Sequence, residues 1–146
     1  MPLTEEETNK SIIRRLMEHW NKKELEAFFD GFASECVFRV VQSFDAPLTR
    51  DELINLMSAA SAAFPDMVIT VEDEIAEQDR VMIRVLNRGT HTGDQWEGIP
   101  ATYKQVAYRE MVTFRVNTEG KIVEWIYHPD LFTLFQQLSS KNESAS

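Results

Sequence analysis

A chain of 146 residues with a 43% hydrophobic composition, nine Phe and three Trp fits one domain able to hide roughly 70% of its unfolded surface. Its formal net charge is −9, from 24 acidic against 15 basic residues. That balance disfavours nucleic acid, because phosphate binding needs clustered Lys and Arg. No apolar run approaches the ~20 residues that cross a bilayer, so no membrane association is expected.

The chain opens Met1-Pro2-Leu3-Thr4-Glu5-Glu6-Glu7, without the basic and apolar stretches of a signal peptide. A single cysteine, Cys36, cannot form an internal disulfide. Both point to a cytoplasmic protein. Thr4 to Glu7 reads as a capping box. Behind it, Ile12, Ile13, Leu16, Met17 and Trp20 recur at helical spacing. Asn21-Lys22-Lys23 interrupts the pattern. A second helix is expected over Leu25, Phe28, Phe29 and Phe32, with Gly31 near its end. Cys36 to Val41 reads as a short strand. Thr49 to Glu52 is a second capping box, opening a helix through Leu53, Leu56, Met57, Ala60 and Phe64 that Pro65 ends.

The periodicity then changes to that of strands over residues 67–75, 80–91, 103–116 and 121–127. Glu77-Gln78-Asp79 and Asn117-Thr118-Glu119-Gly120 supply tight turns, so consecutive strands are expected as antiparallel hairpins. The connection from Thr92 to Thr102 is longer and carries two glycines and a proline, as functional loops often do. Leu131, Leu134, Phe135 and Leu138 suggest a C-terminal helix. The chain is read as a single domain over residues 1–146, with flexible ends at 1–8 and 139–146. Helices grouped before antiparallel strands indicate an α+β fold: a curved, mostly antiparallel sheet with helices on its concave face and a pocket between the layers.

Several residues could carry chemistry in such a pocket. Asp130 stands between the last strand and the last helix, where it can act as an N-cap or face a cavity whose apolar walls would raise its pKa. His91, within Arg88-Gly89-Thr90-His91-Thr92-Gly93, shares strand parity with Val81, Ile83 and Val85, so it points to the apolar face, as a structural histidine or as a proton carrier. His128 shares parity with Ile122, Glu124, Ile126 and Asp130. His19 falls outside the first helix's apolar stripe and reads as surface. Trp20, Phe38, Phe44, Met57 and Trp125 are candidate pocket walls or plain core. Tyr108, Ile126 and His128 complete the expected lining. No histidine pair has zinc-site spacing, and no nucleophile elbow, phosphate loop or dinucleotide fingerprint occurs. Neither a metal nor a cofactor is expected.

The runs Gly89-Thr90-His91-Thr92-Gly93, Gly98-Ile99-Pro100-Ala101-Thr102 and Gly120-Lys121-Ile122-Val123-Glu124, with Asp130 and Gln137-Leu138, resemble the SnoaL-like polyketide cyclases. Phe64-Pro65-Asp66 and Asp79-Arg80-Val81 fit the same pattern. The likeness runs from about residue 9 to residue 138. It implies a cone-shaped α+β barrel of the nuclear-transport-factor-2-like type. It also implies intramolecular aldol ring closure of a polyketide ester, or an isomerase, hydrolase or dehydratase reaction on the same scaffold, without metal or covalent intermediate. On that resemblance Asp130 is the acid/base and His91 hydrogen-bonds a hydrophobic substrate. The other class of reading is a non-catalytic small-molecule-binding module. Two positions depart from the pattern: Tyr103 stands where the family usually has Gly, and Trp125 lies one residue early, with Ile126 in its place. Apolar side chains on the outer sheet face, Met82 and Leu86 among them, point to a homodimer or higher oligomer.

Overall fold

A computed structural model describes residues 2–40 and 46–140. The elements run α1 (Glu5–Asn21), α2 (Leu25–Asp30), β1 (Phe32–Val40), α3 (Arg50–Ala63), β2 (Val68–Glu77), β3 (Arg80–Thr90), β4 (Gln105–Val116), β5 (Ile122–Pro129) and α4 (Leu131–Ser139). The helix starts follow their caps. Thr4 accepts the Glu7 N–H, and Thr49 with Glu52 forms a complete capping box. The expectation of a second helix reaching Phe32 is corrected: α2 stops at Asp30 and Phe32 begins β1, where its ring stacks on Trp125 at 5.3 Å. Expected flexibility at 1–8 meets α1, which begins at Glu5; Met1 and residues 141–146 lie outside the described residues.

The strands order as β1-β5-β4-β3-β2 in one sheet. From β2 to β5 consecutive strands pair antiparallel, and β1 adds to β5 in parallel. The sheet is α+β and cone-like but does not close into a barrel, since β1 and β2 remain edges. The β3–β4 ladder runs without a break from Arg80–Arg115 to Thr90–Gln105. Bulges in its neighbours, between Val71 and Asp73 and at Val123, bend the strands around it.

Two apolar clusters fill the inner side. The larger gathers Phe28, Phe32, Phe38, Phe114 and Trp125 with Ile13, Leu16 and the inner rows of β3 and β4. The smaller joins Phe64, Met67 and Val106 to Leu134 and Leu138 of α4. Side-chain amides cover exposed backbone beside the strands. Asn21 donates to the Ile69 carbonyl and accepts its N–H, both at 2.8 Å. Gln137 does the same for Ala107, where β5 no longer runs alongside β4. Each amide therefore acts as a one-residue extension of the sheet.

The glycine-bracketed histidine run forms a joint between β3 and α3. Gly93 and Asp94 donate their N–H groups to the Ala63 and Ala62 carbonyls at the end of α3, satisfying acceptors that a helix end leaves open. Asp66 accepts the Thr90 N–H at 2.6 Å and its hydroxyl at 2.8 Å. The Phe64 ring stacks on His91 at 5.0 Å. A Cβ at Gly93 would fall 1.8 Å from the Ala62 carbonyl oxygen, so only glycine fits. Tyr103 sits at φ +59°, the left-handed region that favours glycine. The family's usual residue at that position thus has a backbone reason. Gly93→Ala is expected to destabilise the protein by about 3 kcal/mol, the cost of forcing a rigid contact apart; an unchanged urea midpoint would contradict this.

Candidate functional site

Alternation along the unbroken ladder decides which side chains face inwards. On β3 the inner row is Val81, Ile83, Val85, Asn87, Gly89, and His91 follows in phase; all are buried. On β4 it is Val106, Tyr108, Glu110, Val112, Phe114 and Val116. The bulge at Val123 shifts β5 by one, so Trp125, Tyr127 and Pro129 point inwards beside Phe114, Val112 and Glu110. The expected parity of His128 with Ile122 is corrected by that bulge. Ile122 is fully buried, whereas His128 is exposed and, with Ile126, alternates to the outer face.

Where these rows meet, four polar residues interrupt the apolar pattern. Tyr108 lies directly opposite Asn87, and Glu110 lies between Val85 and Pro129. The Tyr127 hydroxyl donates to Glu110 Oε1 at 2.7 Å. Glu110 is 8% exposed and Asn87 3%. Burial pushes the Glu110 carboxyl up from the ordinary 4.5 to about 7, against the opposing pull of Tyr127, Asn87 and Tyr108. Burial and the neighbouring Glu110 charge raise both tyrosine hydroxyls, so they remain protonated donors. Asn87 Nδ2 lies beside this carboxyl but reaches no acceptor in hydrogen-bond geometry. A carboxyl that is half ionised near neutrality can both take and give a proton. The inner side of α3 is incompletely covered, with Ile54, Met57 and Ala60 only half-buried between buried Leu53 and Ala63.

The residues singled out from the sequence are dispersed. Asp130 is exposed, caps α4 and accepts the Thr133 hydroxyl at 2.6 Å and N–H at 3.1 Å. Those bonds, the hydroxyl first, hold its carboxyl below the usual aspartate range. His91 is fully buried, with Nε2 3.0 Å from the Asp94 carbonyl and Nδ1 accepting from the Thr102 N–H at 3.4 Å. A carbonyl at Nε2 requires the proton there, so both ring nitrogens are engaged in holding the loop. His91 bonds through its backbone to Lys104, and Asp130 to Arg109. These anchor points are five residues apart along β4, about 17 Å at strand rise. The two are therefore not brought together.

Trp20, Phe38 and Trp125 are core; Met57 is half-buried on α3; Phe44 lies outside the described residues. His19 is partly covered and pairs with Glu24. Of the expected lining, Tyr108 alone belongs to the polar group. Glu110, Asn87 and Tyr127 belong to no motif, and the readable signal is one acidic residue in phase with Val106, Val112, Phe114 and Val116.

A separate open groove of about 610 Å³ lies against Asp66, Arg88, Thr90, Gln105 and Gln137 and includes none of these four side chains. Among the described residues, no three His, Cys, Asp or Glu side chains group as a metal site would. Cys36 is buried and its thiol is pushed up to about 12, chiefly by burial, which leaves it unreactive.

The sequence pattern of the SnoaL-like polyketide cyclases matches residues 10–138. The chain belongs to that family. Solved structures agree on the fold. IdmH of Streptomyces antibioticus, described as a proposed polyketide cyclase, is 27% identical, with a TM-score of 0.78 over 90% of this chain and 99% of its own. A proposed SnoaL-like polyketide cyclase from Jannaschia sp. CCS1 is 17% identical, with a TM-score of 0.84 over 97% and 99%. AclR of Streptomyces galilaeus, described as a proposed hydroxylase, is 23% identical, with a TM-score of 0.83 over 92% and 97%. No curated protein matches the chain.

The raised Glu110 carboxyl binds its proton more tightly in the folded protein than in the unfolded chain. Its stabilising contribution is complete below the unfolded value of 4.5 and is lost as pH rises through about 7. Wild-type stability to urea is expected to fall between pH 5 and pH 8 relative to Glu110→Gln, which has nothing to titrate there. Parallel curves for the two proteins would show that Glu110 is not buried as described.

Proposed function

We propose that the protein is a general acid/base enzyme acting on a hydrophobic compound with an enolisable carbonyl. Intramolecular aldol closure of a polyketide-type ester is its best single description. Family membership supports the class of reaction. The observation that carries the residue assignment is the buried Glu110 carboxyl, poised near neutrality between two apolar clusters.

In this scheme ionised Glu110 takes a proton from the carbon between two carbonyl groups. The C–H electron pair moves onto a carbonyl oxygen as an enolate. The enolate carbon attacks a second carbonyl within the same molecule, a C–C bond forms, and Glu110 returns the proton to the new alkoxide. Atoms and charge balance without a co-reactant. Tyr127 holds the carboxyl in place through its 2.7 Å hydrogen bond. The same proton carrier would serve an isomerase or dehydratase, so the substrate decides between these.

Asp130, the acid/base that the family resemblance implies, is the competing assignment. The two are separated by isosteric variants tested on ring closure of an aryl diketone ester with an activated methylene. Glu110→Gln is expected to slow turnover about 10²- to 10⁴-fold, the usual worth of a positioned acid/base. Asp130→Asn is expected to retain both fold and rate, because Asn caps a helix as well as Asp. The opposite pattern would return the role to Asp130. If neither variant changes a measurable rate, the chain is a binding module.

A homodimer fits the outer sheet face, where Met82 and Met111 are exposed on adjacent strands. Light scattering at micromolar concentration should give twice the 16.9 kDa chain mass; a monomer would refute it. No described helix is long and apolar enough to cross a membrane, and the unpaired buried thiol of Cys36 suits a reducing cytoplasm.

A further inference from the structure

We propose that Asn87 is the oxygen-binding residue of this site, its side-chain N–H holding the substrate carbonyl whose neighbouring carbon gives its proton to Glu110. The inference rests on the acid/base reading above and adds to it the part of the substrate that is recognised.

The argument starts from a donor without a partner. Asn87 is 3% exposed, and its Nδ2 meets no acceptor in hydrogen-bond geometry. A buried donor left unmet costs about 1–3 kcal/mol. The three preceding inner positions of β3 are Val81, Ile83 and Val85, so packing alone would favour another aliphatic residue. Tyr127 donates to Glu110 at 2.7 Å and is committed to it, while the Tyr108 hydroxyl lies beside the same carboxyl. Trp20 Nε1 and Trp125 Nε1 lack partners too, but their rings belong to the aromatic cluster around Phe28. Asn87 is therefore a buried donor beside the carboxyl, near enough to favour its charge yet meeting no acceptor in hydrogen-bond geometry, and it lies diagonal to Glu110 across the β3–β4 ladder.

Such a pair suits one chemical grouping. In an enolisable ketone or ester the acidic C–H and the carbonyl oxygen are held two bonds apart. As Glu110 takes the proton, the C–H pair passes to that oxygen, and the Asn87 N–H strengthens its bond as charge accumulates. The donor is fixed by the sheet before substrate arrives, so little reorganisation is needed.

The probe is 2-naphthol, a planar hydroxyl compound that resembles an enol, titrated at pH 6 by tryptophan fluorescence. Asn87→Leu should weaken naphthol binding about 3- to 10-fold, the range for a hydrogen bond between neutral groups. Its melting temperature should be no lower than wild type, because an unpaired donor has been replaced by an apolar group. A merely structural asparagine would lower it. With the ester substrate, the loss should fall on kcat more than KM. Asn87→Ala removes the donor without filling the space, and it decides the matter if the leucine variant folds poorly. No naphthol binding by the wild type, or unchanged affinity in Asn87→Ala, overturns the proposal. Glu110→Gln should still bind naphthol. Should it also retain turnover, the Glu110 assignment fails while the Asn87 result stands.

Discussion

The uninterrupted β3–β4 ladder is the constraint on which the rest of the molecule depends. Eleven paired positions, from Arg80–Arg115 to Thr90–Gln105, hold one register. A slip of one residue would turn every inner side chain outwards. It would place Arg84 and Arg109 in the core and expose Val85, Val112 and Phe114. The outer face strengthens the same register, since Arg109 and Arg84 both reach Glu72 on β2. Register shifts appear where β2 and β5 meet this pair, and again where β1 meets β5. The ladder therefore stays straight in register while its flanks bend.

That register brings Glu110 inside, and the surroundings answer the charge only in part. A carboxylate deep among aliphatic side chains would simply stay protonated. Here Tyr127 donates to it and Asn87 and Tyr108 lie close, enough to hold its titration near neutrality. The two apolar clusters lie on either side, one sealed by α4 and the other by α1 and α2. A polar layer between apolar layers costs stability, and proteins retain such layers where chemistry or binding requires them.

Much of the architecture could be read from the sequence because local rules and tertiary packing agree. Thr4 and Thr49 begin helices where their patterns say, and the turns at Gln78 and Gly120 return the chain antiparallel. Phe32 misled because an aromatic at helical spacing is equally at home on the first residue of an inward strand. The site was less legible. Motifs with histidine and glycine attract attention, yet Gly93, His91 and Asp66 join α3 to β3 through backbone contacts and a ring stack. Asp130 satisfies local helix geometry. Glu110 carries no motif, and its place in the candidate site comes from strand parity combined with a partner 17 residues away in the chain, Tyr127, and a neighbour 23 residues away, Asn87. The bulge at Val123, which sets Tyr127 inwards, has no sequence signature of its own.

The parallel pairing of β1 with β5 bears on how the chain reaches this state. Phe32 pairs with Ile122 and Phe38 with Trp125, contacts that close loops spanning well over half of the chain. Contacts so distant in sequence slow folding, because chain entropy is lost before they form. During synthesis the rings of Phe28, Phe32 and Phe38 must wait for Trp125 to emerge before the aromatic cluster can assemble. The N-terminal third is thus the part most exposed to aggregation on the ribosome, and the last strand is the one that relieves it.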